Sequence, residues 1–202
     1  MVVGIGGSVL FYVTGHGEAV TQRLADFLQE SDYAGVIFAR PKIAGTFPLA
    51  QIHMDSAGAP DLVMTLRWSD AKNADGLAGM IVGDWQRQAG HGTHATLSRY
   101  DLHNMLVAAG PDFRRGTTDN LPTGNTDLAP TILKILCIAP PAPQDGRVLV
   151  EAMRDGGAPP KSQTSFAEAQ RDLPNERHQY LKTSRVGSTI YFDEGNVGRP
   201  PR

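Results

Sequence analysis

The chain has a single cysteine, Cys137, so no intrachain disulfide can brace it. Cys137 stands in the apolar run Ile132, Leu133, Lys134, Ile135, Leu136, Cys137, Ile138, which predicts a buried, inert thiol. Long runs of lysine or arginine are also missing, and the net charge is −2. That balance argues against a nucleic-acid binder or an anionic-membrane binder driven by bulk charge. No stretch approaches the ~20 apolar residues of a membrane span. The opening MVVGIGGSVLFYV has no Lys or Arg ahead of its apolar run, so it reads as a core strand and makes a poor signal peptide. There is no P-loop and no GxSxG. Gly4-Ile5-Gly6-Gly7 precedes a strand where a dinucleotide loop would follow one, which excludes the Rossmann reading.

What is present is ordinary for a soluble globular chain: 202 residues, 41% hydrophobic and 20% charged. Residues 8–13 (SVLFYV) read as a buried strand, residues 18–30 as an amphipathic helix carried by Val20, Leu24, Phe27 and Leu28, and residues 35–39 (GVIFA) as a second buried strand. Strand, helix, strand suggests a βαβ unit with parallel pairing. Residues 46–54 read as an edge strand because Pro48 is unwelcome in a central one. Residues 61–68 read as another strand, and 70–92 as a long irregular loop. Further along, 105–109 (MLVAA) predicts a short strand. Residues 127–138 predict a helix with Asp127 as N-cap and Leu128, Ile132, Ile135 and Leu136 as its apolar face. Residues 147–153 predict one more short helix, and 156–164 a linker. Residues 178–184 and 189–193 flank Val186-Gly187-Ser188 as a hairpin.

The densest chemistry lies in residues 90–104, with His91, His94, His103 and Asp101. Neutral imidazole is a common zinc ligand, so a loop with this spacing could hold a metal; a solvated, histidine-rich loop explains the same residues. His16, in Gly15-His16-Gly17, falls between a strand and a helix, where α/β sheets often bind anions; a glycine-flanked turn is the plainer account. Arg114-Arg115 could face a phosphate or simply a solvated turn. Asp61 reads as a cap or turn residue.

The runs Gly92 to Ser98, Tyr100 to Asn104 and Ala108 to Gly116, then Asn125 to Thr131 and Asp145 to Leu149, together resemble the closing segment of type I phosphodiesterases and nucleotide pyrophosphatases of the alkaline-phosphatase superfamily. The resemblance covers residues 92 to about 153 and is looser over 9–68. It implies an α/β fold, the C-terminal part of an alkaline-phosphatase-like α/β/α sandwich, with a C-terminal β-hairpin extension. It implies a two-metal zinc site, a phosphoester small-molecule substrate, and His94 as the metal ligand this segment contributes; His91 and His103 are lesser candidates, from loop spacing alone. The residue after that histidine is usually glycine in the family; here it is Ala95. No counterpart to the family's Thr or Ser nucleophile, or to its other ligands, is found.

The expected organisation is residues 1–154 as the incomplete phosphodiesterase-like domain and 155–202 as linker and extension. The expected function is a fragment of a metal-dependent phosphoric-ester hydrolase, inactive alone, as a truncated gene model, a gene fragment or half of a split protein would be. The alternative is a non-catalytic binding or assembly module; a third is a self-contained zinc hydrolase using His91, His94 and His103. Half a parallel sheet would leave an apolar edge open to self-association. Members of the family are often exported or periplasmic.

Overall fold

Strand β1 (Val2–Gly4) and strand β2 (Ser8–Phe11) form an antiparallel hairpin. A 3-10 turn at Thr14–His16 leads into helix α1 (Glu18–Gln29). Strand β3 (Ala34–Ala39) is buried along its whole length. A two-residue strand, β4 (Phe47–Pro48), runs parallel to β3, and Pro48 accordingly sits on an edge. Strand β5 (Leu62–Leu66) lies antiparallel between β2 and β3, giving the order β1-β2-β5-β3-β4. These positions come from a computed structural model that describes residues 1–83, 94–172 and 176–200.

Alternation along the three inner strands explains the sheet. Val9 and Phe11, Ile37 and Ala39, and Leu62 and Met64 face the α1 side, where Leu24, Ala25 and Leu28 meet them. Leu10, Val36, Phe38 and Val63 face the other way, into a second cluster with Phe47, Leu49, Leu97 and Leu181. A strand buried on both faces belongs in the centre, and β5 takes that place. The expected parallel pairing is therefore corrected: β2 and β3 run in the same direction across α1 but pair only through β5.

Residues 70–92 were expected to be irregular, yet β6 (Trp68–Lys72) and β7 (Ala78–Ile81) form an antiparallel hairpin. Asn73 closes its turn by accepting the Asp75 and Leu77 amides on its side chain. Residues 84–92 of that expectation lie outside the described residues. A four-residue helix, α2 (Arg99–Leu102), follows. The strand expected at 105–109 is absent: those residues form no regular element, and Met105 is 88% exposed. Helix α3 (Leu128–Ile135) forms as expected, but with its apolar face reversed. Pro130 and Thr131 are buried, whereas Leu128, Ile132 and Leu136 are exposed. Cys137, just past α3, is exposed at a positive φ of 55°, which overturns the buried-thiol expectation. The short helix expected at 147–153 reduces to a 3-10 turn at Val150–Ala152.

Strands β8 (Ser162–Arg171), β9 (Arg177–Val186) and β10 (Thr189–Val197) form a sheet in the order β10-β9-β8. The two-residue turn Gly187-Ser188, with Gly187 at φ 62°, joins β9 to β10, as the hairpin signal predicts. The architecture is thus mixed α/β, with sheets and few helices. No helix among the described residues is long and apolar enough to cross a membrane.

Two compact units divide the chain. One comprises Met1–Asn104, Phe166–Lys182 and Phe192–Arg202; the other comprises Met105–Ser165 and Thr183–Tyr191. In the first, residues 34–37 of β3 have no neighbouring strand on the β4 side among the described residues, and β9 side chains take up their peptide groups. The Gln179 amide pairs with both the N–H and the C=O of Ile37. The Arg177 guanidinium donates to the carbonyls of Gln29, Ala34 and Gly35 at 2.8–2.9 Å. Burial, and to a lesser degree the nearby charge of Arg67, push that guanidinium down to about 10.

Candidate functional site

The histidine-bearing loop is fixed by its backbone. Gly7, in the β1–β2 turn, donates its amide to the His94 carbonyl at 2.6 Å. The Ser8 hydroxyl donates to the Ala95 carbonyl. A Cβ on Gly7 would fall 2.0 Å from the Thr96 methyl, so only glycine permits this approach. Ala95 adopts φ 62°, in the left-handed region that glycine fills most readily. Beyond it, the Thr96 hydroxyl bonds the Asp101 carboxylate and also accepts the Ser98 amide at 3.1 Å. Ser98 caps α2 by accepting the Tyr100 amide, and the Leu97 carbonyl accepts the Gly195 amide.

These contacts place His94 at the start of a well-anchored loop with its side chain exposed, and His103, also exposed, at the end of α2. Asp101 is turned to Thr96. His91 lies outside the described residues. Among the described residues no three His, Cys, Asp or Glu side chains come together as a metal-holding group. A structural or catalytic zinc takes three or four protein ligands, so His94 does not complete a site with the described residues of this chain.

The second unit holds a buried polar network that joins two segments well apart in sequence. The Asp127 carboxylate, expected to cap α3, makes no cap hydrogen bond to that helix. It accepts the Arg147 amide (2.8 Å), the Gly124 amide (2.9 Å) and the Tyr191 hydroxyl (2.8 Å). The Arg147 side chain donates to the Tyr191 hydroxyl, to the Pro122 carbonyl and, through two nitrogens, to the Glu151 carboxylate. The Thr131 hydroxyl accepts the Leu149 amide, and a Cβ on Gly146 would strike the Thr126 carbonyl at 2.1 Å. Residues 125–131 and 145–149 are therefore locked together through side chains. Burial raises the Glu151 carboxyl, but Arg147 and a backbone hydrogen bond outweigh it and hold the group below its ordinary value. Burial and the hydrogen bond to Asp127 push Tyr191 up to about 12, against the pull of Arg147. Each of these groups is hydrogen-bonded to another, and the network ties the segments together. Arg114 is likewise occupied, donating to the carbonyls of Met153 and Gly157 rather than facing an open turn; Arg115 is exposed.

A third cluster sits at the turn between β2 and α1. Asp61, expected to be a cap or turn residue, is 1% exposed. One of its oxygens accepts the Val13 amide at 2.7 Å, and the other meets His16 Nδ1 at 2.7 Å. Arg40 Nε stands 3.7 Å from that second oxygen. The sequence pointed to His16 but carried no sign of its partner, 45 residues away.

Comparison of the chain with protein-family models, with curated proteins and with solved structures returned no match.

Proposed function

We propose that this chain supplies the His94 wall of a metal-dependent phosphoric-ester hydrolase of the phosphodiesterase and nucleotide-pyrophosphatase type, and is inactive without ligands from elsewhere. On this reading the chain is part of an alkaline-phosphatase-like α/β/α sandwich, the metal is zinc, and the substrate is a small phosphoester. When bound, a zinc pair would activate the nucleophile and stabilise charge on the transferring phosphoryl group. What this chain's own residues do is narrower: Gly7 and Ser8 hold the backbone of residues 94–95 still, and His94 offers one imidazole.

One observation carries the reading. Ala95 stands in the left-handed conformation at the position where the resembled motif has glycine. A left-handed backbone is the conformation glycine fills most readily, so the position keeps a shape suited to glycine although the residue is alanine. The locking of residues 125–131 to 145–149 adds support, because both belong to the resembled segment.

The test is a zinc titration of the purified chain alongside a chromogenic phosphodiester assay. Weak zinc binding that drops in His94→Ala, with no turnover, is the expected result. Stoichiometric zinc with turnover would sink the incomplete-site reading. Identical zinc binding by wild type and His94→Ala would remove His94 from it.

A non-catalytic assembly module is the second reading. It is favoured by the exposed apolar side chains of the second unit, among them Met105, Val107, Ile132 and Leu136. A concentration-independent monomer in sedimentation would count against it.

A further inference from the structure

The cluster of His16, Asp61 and Arg40 has no part in the proposed hydrolase wall, yet it has the makings of a ligand site. We propose that His16 and Arg40, organised by the buried Asp61, bind a phosphate-type oxyanion, either inorganic phosphate or the phosphate of a small monoester.

Asp61 is the only carboxylate of the cluster, and it is closed to solvent, with one oxygen on the Val13 amide and the other on His16 Nδ1. A carboxylate on Nδ1 fixes the ring tautomer and orientation and leaves Nε2 on the opposite ring edge. The His16 side chain is 53% exposed, so solvent reaches the imidazole while the acid beneath it stays covered. Nε2 suits a phosphate in either state: it accepts from a P–OH, or donates to a P–O⁻ once protonated.

Arg40 supplies the second contact. Its Nη2 is held by the carbonyls of Ala59 and Ser56. Nη1 makes no hydrogen bond among the described residues. With Nε near the same Asp61 oxygen that His16 uses, the two cation-forming side chains meet one buried anion, and both remain partly open to solvent, His16 at 53% and Arg40 at 31%. A guanidinium held in place by backbone carbonyls has little further freedom to lose on binding, which favours phosphate recognition.

The backbone at His16 is itself in an uncommon conformation. Gly15 and His16 are consecutive left-handed residues at φ 65° and 51°. A non-glycine residue there is uncommon, and here the Asp61 hydrogen bond holds it. His53 shares that conformation at φ 54° without any carboxylate partner among the described residues, so it serves as an internal control.

The probe is inorganic phosphate, titrated into the full chain by calorimetry and by ¹⁵N shifts of the histidine rings, with a small sugar phosphate as a second arm. Expected are saturable 1:1 binding with Kd on the order of 1 mM and a shift confined to the His16 ring. His16→Gln should weaken binding at least about tenfold, and His53→Gln should leave it unchanged. Tighter binding of the sugar phosphate would identify a monoester as the ligand, and equal binding would identify free phosphate. Absence of saturation, a ring shift on another histidine, or equal affinity in His16→Gln would each overturn the proposal. The ring shifts come from the wild-type chain, so they stand even where a variant folds poorly.

Discussion

The side-chain amide of Gln179 pairs with both peptide groups of Ile37, accepting its N–H at 2.9 Å and donating to its C=O at 3.0 Å. Both residues are fully buried. One side chain thereby does for β3 what a missing strand neighbour would do. Replacing Gln179 with Leu leaves two buried peptide groups unsatisfied. We expect a loss of roughly 2–4 kcal/mol, read as a lower urea midpoint with an unchanged slope.

Ala95 should gain from being glycine. A left-handed alanine costs roughly 1–2 kcal/mol, partly offset by the greater chain entropy of glycine. Ala95→Gly is expected to raise stability by about 0.5–1 kcal/mol and to leave zinc affinity no weaker. A lower melting temperature would show that the loop does not hold the conformation described.

The pair Arg147 and Glu151 sets an acid limb. The folded Glu151 carboxyl is held below its ordinary value, so its contribution is present above the unfolded value and is lost as pH falls through the folded one. Melting temperature should drop in that acid range in wild type and drop less in Glu151→Gln. That variant should be less stable at neutral pH by about 1–3 kcal/mol, because it leaves the half-buried Arg147 without its charge partner.

Tyr191 sets an alkaline limb of the opposite sign. Its folded value is raised from 10.0 to about 12, so the stability it contributes is complete below pH 10 and fades as pH climbs toward 12. Tyr191→Phe should flatten that decline. A phenolate absorbance titration of the native chain should place one tyrosine near 12.

Cys137 should react in the folded state. It is exposed, and a thiol reagent should label it stoichiometrically without denaturant. Labelling that waits for unfolding would restore the buried thiol that the apolar run around it suggested.

How much of this was legible in the sequence depended on whether burial followed local pattern. The strands through Phe11, Ile37 and Val63 carried their pattern plainly, and in α1 Leu24 and Leu28 pack on the sheet as expected, whereas Val20 and Phe27, expected on the same face, are exposed. The β6–β7 hairpin escaped because β6 is exposed beyond Trp68 and the short β7, though apolar, is mostly half-buried, so no alternation marked them. Residues 105–109 misled in the opposite way, since a short apolar run reads as a strand whether or not anything covers it. In α3 the buried face is Pro130 and Thr131, chosen by the Thr131 contact to Leu149 and not by hydrophobicity. Asp127 and Asp61 looked like caps because their partners, Arg147 and Tyr191 for the one and His16 for the other, are 20 to 64 residues away. Local sequence contains no sign of such pairings.

Strands β8, β9 and β10 each begin in one compact unit and finish in the other, so the chain passes between the units at residues 104–105, 165–166, 182–183 and 191–192. Neither unit is a contiguous stretch of polypeptide. No single peptide cleavage can therefore release one of them intact, and a protease should yield nicked, still-associated chains rather than a liberated domain. For the same reason, neither half can finish folding on the ribosome before the last strand has emerged.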